Sequence, residues 1–160
     1  FPYTTLFRSQ GREAARSKLG SSADAAVVLV EPNSDHATDS LLERFHNAWH
    51  HFSHNFELVD ELGLPERERN GIKLFFGREF EDILGAVDDS QRYERHERVE
   101  TWGHRLWTAG FTPAPAGRLA GGWSFPHPAV HIRPGPGYVG VGYKEETLVT
   151  VLCATTEAGR

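Results

Sequence analysis

Residues 25 to 36 read AAVVLVEPNSDH. The first six are apolar without interruption, the pattern of a strand buried on both faces of a parallel sheet, and the next six are polar and turn-forming. In an open α/β sheet, ligands gather outside the carboxyl ends of the parallel strands. The passage from Val30 into Glu31 therefore sets both the expected fold and the expected site. Downstream, SLLERFHNAWHHFSHNFELVDEL (40–62) places Leu41, Phe45, Trp49, Phe52, Phe56 and Val59 at steps of three or four, with Ser40 and Glu43 as a capping box. That spacing predicts a long amphipathic helix. A charged turn, LPERERN (64–70), and a shorter run follow, and EFEDILGAV (79–87) then reads as a second buried strand.

The remainder completes an α/β unit. Asp88, Asp89 and Ser90 offer N-caps for a helix on which Val99, Trp102, Leu106 and Ala109 share a face, and Gly110 suits the C′ position. A Pro/Gly-rich connector (112–128) leads to three short terminal strands. The strands near 25–30 and 80–86 are expected to be parallel neighbours joined by a right-handed crossover through the long helix. The run GPGYVG (135–140) fits G-x-G-x-x-G, but strand-like residues flank it, no helix follows, and Pro134 and Pro136 remove amide donors that a phosphate would need. It is expected in or beside a hairpin.

Composition narrows the function. The 160 residues suit one small domain, and 39% hydrophobic content with 11% aromatics can build a core. A net charge of −5 argues against a direct nucleic-acid partner, and a single cysteine, Cys153, excludes an internal disulfide and fits a reducing compartment. The longest apolar run is far too short to span a bilayer. The expectation is a cytoplasmic protein with no membrane partner.

The first strand end presents Glu31, Asn33, Asp35 and His36, which can accept protons or bind a polar substrate. Asn33, Ser34 and Asp35 suit turn and cap roles equally well. The second end leads to Arg92, Arg95 and His96, expected on the first turns of a helix and able to direct cations at an anionic group, or to form a solvated face with pairs such as Glu94 with Arg98. His46, His50 and His54 stand at i, i+4 and i+8, a spacing at which imidazoles can share a metal, but no third ligand and no H-E-x-x-H accompany them. No metal is expected there.

LVEPNSDH, LLERFHNAWHHFSHNFELVDEL, GREFEDILGA, RYERHERVETWGHRLWTAGF and GYVGVGYKEETLVTVLC follow one another in an order that resembles the late motifs of the GRAS family, over residues 25 to 153. The pair ERHE and W-x-x-R-x-x-x-AGF is the most specific. The resemblance implies a partial Rossmann-like fold of the class I methyltransferases, parallel strands with crossover helices and a C-terminal antiparallel hairpin. It implies a bacterial-type S-adenosylmethionine-dependent methyltransferase acting on a small molecule, with Glu31 and His36 as catalytic residues and Asn33, Asp35, Arg44, Arg92, Arg95 and His96 holding the substrate. Plant members of the family act as transcriptional regulators, so the alternative it implies is a regulator or protein-interaction module without catalysis.

The opening FPYTTLFRS (1–9) resembles a translated sequencing-adapter remnant, and the chain contains no methionine. Residues 10–160 are accordingly expected to be the C-terminal part of one domain, with the loop for S-adenosylmethionine upstream of residue 10 and the fragment inactive by itself.

Overall fold

A computed structural model describes residues 26–86, 89–114, 125 and 127–156. The expectations for residues 1–9, for Asp88 and for most of the Pro/Gly connector lie outside these. Along the described chain run β1 (Ala26–Pro32), α1 (Leu41–Glu61), α2 (Glu66–Gly85), a 3₁₀ turn (Asp89–Gln91), α3 (Val99–Thr108), β2 (Thr112–Pro113), β3 (Val130–Gly135), β4 (Tyr138–Tyr143) and β5 (Glu146–Thr155).

The sheet is ordered β1-β5-β4-β3, with short β2 also on β5. Every pairing among the described residues is antiparallel. The expected parallel partner of β1 is missing because 79–85 is helical. Phe76, Phe80, Ile83 and Leu84 recur at four, three and one, and together they pack on Phe52 and Ala48 of α1. The stripe begins before residue 79, so a strand reading of 79–87 cuts a helical period in half. Pro65 precedes the first turn of α2, where Glu66 and Glu68 face the positive helix end.

β1 is also not buried on both faces. Leu29 and Glu31 point inward while Val28 and Val30 are exposed, the alternation of a strand with one covered face. Leu29 joins Leu152 and Ala154 of β5 against Val99, Trp102 and Leu106 of α3, with Phe111 closing the cluster. The α3 face is the one the sequence spacing predicts, and Gly110 adopts φ +88 as the residue after the C-cap. GPGYVG is the β3–β4 hairpin: Gly135 pairs with Tyr138 across a Pro136-Gly137 turn, and Gly137 has φ +78, as the third residue of a type II turn requires.

Helix α1 matches its predicted bounds, and the Glu43 amide donates to Ser40 Oγ at 3.3 Å. The Glu43 carboxylate accepts from Thr38 Oγ1 at 2.9 Å, so only half of the capping box forms. Its buried side is Arg44, Ala48, His51, Phe52, Asn55 and Val59. Leu41, Leu42, Phe45 and Trp49 are exposed, Leu42 at 78% and Trp49 at 62%. The first half of the predicted apolar face thus looks outward.

Candidate functional site

The polar residues after β1 fold into a knot of tertiary hydrogen bonds. The Asn33 amide donates to the Leu148 carbonyl of β5 at 2.9 Å, and its Oδ1 accepts from the Val99 amide at 3.1 Å. Residue 98 is an arginine and supplies no side-chain cap, so Asn33 caps α3 from across the chain. Asp35 Oδ1 accepts from the Ala37 amide at 3.2 Å, an Asx turn, while its carbonyl accepts from Asn47 Nδ2 at 2.8 Å. Arg44 Nη1 donates to the Thr38 carbonyl at 2.9 Å. The His36 amide donates to the His96 carbonyl at 2.8 Å, and the Arg92 guanidinium donates to the His36 carbonyl. Between these ties the His36 ring is fully buried, at 0% exposure.

A file of polar side chains runs through this point. Ser34 Oγ lies 2.9 Å from His36 Nε2, His36 Nδ1 lies 3.0 Å from His96 Nδ1, and His96 Nε2 lies 3.2 Å from Glu94 Oε2. One proton arrangement satisfies every contact: Ser34 donates to His36, His36 to His96, and His96 to the Glu94 carboxylate. In the reverse arrangement His96 donates to His36, His36 to Ser34, and Ser34 to the Asn47 carbonyl at 3.4 Å, which leaves a His96 Nε2 lone pair facing the Glu94 carboxylate with no proton between them. His51 meets the His36 ring edge-on at 5.8 Å, and Phe52 stacks on it at 5.9 Å.

Burial dominates the electrostatics. Desolvation, reinforced by His96, pushes both His36 and His51 down to about 3, and it pushes Glu31 up to about 7 against the pull of His96. Glu79 is raised by burial, whereas Glu94 is lowered by its hydrogen bond to His96. At neutral pH the two histidines at the centre are uncharged.

The structure thus gathers Glu31, His36, Arg92 and His96 of the predicted site in one buried region. Asn33, Asp35 and Arg44 lie beside it, but the bonds recorded for their side chains hold backbone. Arg95 is exposed on the surface, with its Nε donating to the Arg92 carbonyl at 3.3 Å. Residues 92–98 are not the first turns of a helix: Asp82 Oδ2 takes the Tyr93 and Glu94 amides at 2.8 and 2.7 Å, and α3 begins only at Val99. Sequence reasoning missed His51, which follows His50 of the histidine file on α1, and the approach of Glu79 to Glu94 and His96. The spacing of His51 from Arg44, Ala48 and Asn55 was the available signal, masked by the stronger apolar stripe beside it.

A profile of the GRAS domain family matches residues 9–120. The chain belongs to the GRAS domain family. This GRAS chain is 35% identical over 92 residues to "DELLA protein RGL3" of Arabidopsis thaliana, covering 57% of itself and 17% of that protein. It is 30% identical over 130 residues to "Scarecrow-like protein 3" of Arabidopsis thaliana, covering 79% of itself and 26% of that protein. The chain therefore spans about a quarter or less of these relatives. Among solved structures it superimposes on "Crystal Structure of SCL7 in Oryza sativa" with TM-score 0.70 and 22% identity, over 91% of this chain and 42% of the other, a likeness of fold alone. These relatives are plant proteins, and the bacterial-type assignment gains no support from them. No helix among the described residues is long and apolar enough to cross a membrane.

Proposed function

We propose that this GRAS chain belongs to a regulatory module that works by binding protein partners. One observation carries the reading: α1 is turned so that Arg44, His51 and Asn55 face inward while Leu41, Leu42, Phe45 and Trp49 face solvent. Phe45 and Trp49 stack at 6.3 Å, forming a continuous apolar patch of the kind that marks an interaction surface. The inward polar groups meanwhile hold the loop after β1. A transcriptional role agrees with the plant members of the family, and the matched relatives are plant proteins.

The methyltransferase reading rests on Glu31, whose pKa of about 7 would suit a general base. Glu31 and His36 are both buried, and burial, reinforced by the neighbouring His96, holds His36 neutral. The loop expected for S-adenosylmethionine lies upstream of residue 10, outside the described residues. The passage from β1 to α1, residues 33–40, contains no glycine and forms an Asx turn, and GPGYVG is a hairpin.

The test is a reporter assay in which the full-length protein is tethered to a promoter. Wild type should change reporter output, and the double variant Phe45→Asp/Trp49→Asp should abolish the change at equal protein level. Unaltered output from the double variant would remove α1 from the mechanism.

A further inference from the structure

Glu94 and His96 are two residues apart in the non-helical segment 92–98, and Glu79 reaches the same point from the last turns of α2. One ligand atom from each lies within 4.8 Å of the others. His96 is buried, and the two carboxylates are half-buried, so the opening to solvent lies on the glutamate side. We propose that His96 Nε2, Glu94 and Glu79 form a binding site for a single divalent cation of the zinc class, which clamps the 92–98 segment to α2. Nothing in the regulatory reading depends on it.

The donor set, the hydrogen bonds behind His96 and the anchoring of the segment support this. The donor set is one imidazole and two carboxylates, a mixture that suits zinc and leaves a fourth position for water. The ligating imidazole is oriented from behind: His96 Nδ1 is bonded to His36 Nδ1, and His36 Nε2 to Ser34 Oγ. Outer partners of this kind fix ring orientation and tautomer in metal sites. Reversing the hydrogen bonds of the file, with Ser34 donating to the Asn47 carbonyl, frees the His96 Nε2 lone pair 3.2 Å from Glu94 Oε2, the state in which both atoms would ligate one cation. The segment is also held for the purpose, since Asp82 Oδ2 fixes the amides of Tyr93 and Glu94.

The competing account is a purely organic pair, His96 Nε2–H donating to Glu94, with zinc captured only by the exposed His46, His50 and His54. The experiment is calorimetric titration of tag-free full-length protein with zinc chloride, in wild type, Glu79→Gln, Glu94→Gln and His50→Ala. Glu79→Gln is isosteric and half-buried, so it keeps the fold, as circular dichroism will verify. The site predicts one-to-one binding in wild type and in His50→Ala, and an affinity loss of at least about 10- to 100-fold in each glutamine variant. Cobalt substituted at the site should show four-coordinate d–d absorption that Glu79→Gln abolishes. Histidine ¹⁵N spectra should show His96 Nε2 losing its proton at saturating zinc. Binding that survives Glu79→Gln but vanishes in His50→Ala, a His96 Nε2 that keeps its proton, or no binding in wild type would each overturn the proposal.

Discussion

His36 and His51 are held uncharged by burial, and that fixes how the fold responds to acid. In the unfolded chain both protonate near 6.5, but in the folded state only near 3. Between those values the unfolded state binds more protons, so stability falls as pH falls. Glu31 works the other way. Its folded pKa of about 7 exceeds the unfolded 4.5, so between 4.5 and 7 the folded state binds the extra proton and loses stability as pH rises. Glu79 and Glu94 shift in opposite directions and offset each other in sign. Two histidines against one glutamate leave one net group from 4.5 to 6.5, a loss of about 1.4 kcal/mol per pH unit on acidification. Urea unfolding at pH 6.5 and 5.5 should show this loss, and Glu31→Gln, which removes the opposing group, should roughly double the slope. Stability that stays level or rises toward pH 5.5 in wild type would refute the neutral-histidine account.

Helix ends and helix faces carry the next level. Asn33→Ala removes the acceptor for the Val99 amide, and it should lower the unfolding free energy by about 1 kcal/mol, with Asn33→Asp restoring most of it. Equal stability of Asn33→Ala and wild type in urea would show that α3 starts without this cap. Trp102→Ala, by contrast, empties the α3–sheet core and should cost about 3–5 kcal/mol in the same assay. Trp49→Ala should stay within about 0.5 kcal/mol of wild type because its ring is already in water. The extent of α1, the end of α3 and the apolar face of α3 were legible from spacing, because Val99, Trp102 and Leu106 meet an apolar sheet, whereas the start of α3 at Val99 was not. The inward face of α1 was not. It is chosen by the polar loop after β1, whose Asp35 carbonyl needs Asn47 and whose His36 needs the Phe52 and His51 rings, and no periodicity records such a partner. Likewise 79–85 was read as a strand because its helical stripe starts three residues earlier, at Phe76.

At the level of the whole molecule, one long strand organises the sheet. β5 takes β1 on one side and β4 with β2 on the other, all antiparallel, so the expected parallel crossover through α1 is replaced by a layer of two helices packed on each other. The hairpin at Gly135–Tyr138 and the strand at 26–32 were visible in the sequence, since turn chemistry and apolar runs are local. The partner of β1 was not, because that pairing joins segments more than a hundred residues apart, as Glu31 and Thr150 are. The candidate site shows the same division: Glu31, His36, Arg92 and His96 were named from the sequence, while the burial that gathers them belongs to the assembled fold. On the proposed reading the protein acts through the outward face of α1 and not through chemistry at Glu31 and His36. The decisive experiment measures methyl transfer and binding of S-adenosylmethionine by the full-length protein, with Glu31→Gln alongside. A partner-binding module should give no saturable binding heat and no turnover in either protein; one-to-one binding with turnover that falls about a hundredfold in Glu31→Gln would overturn it.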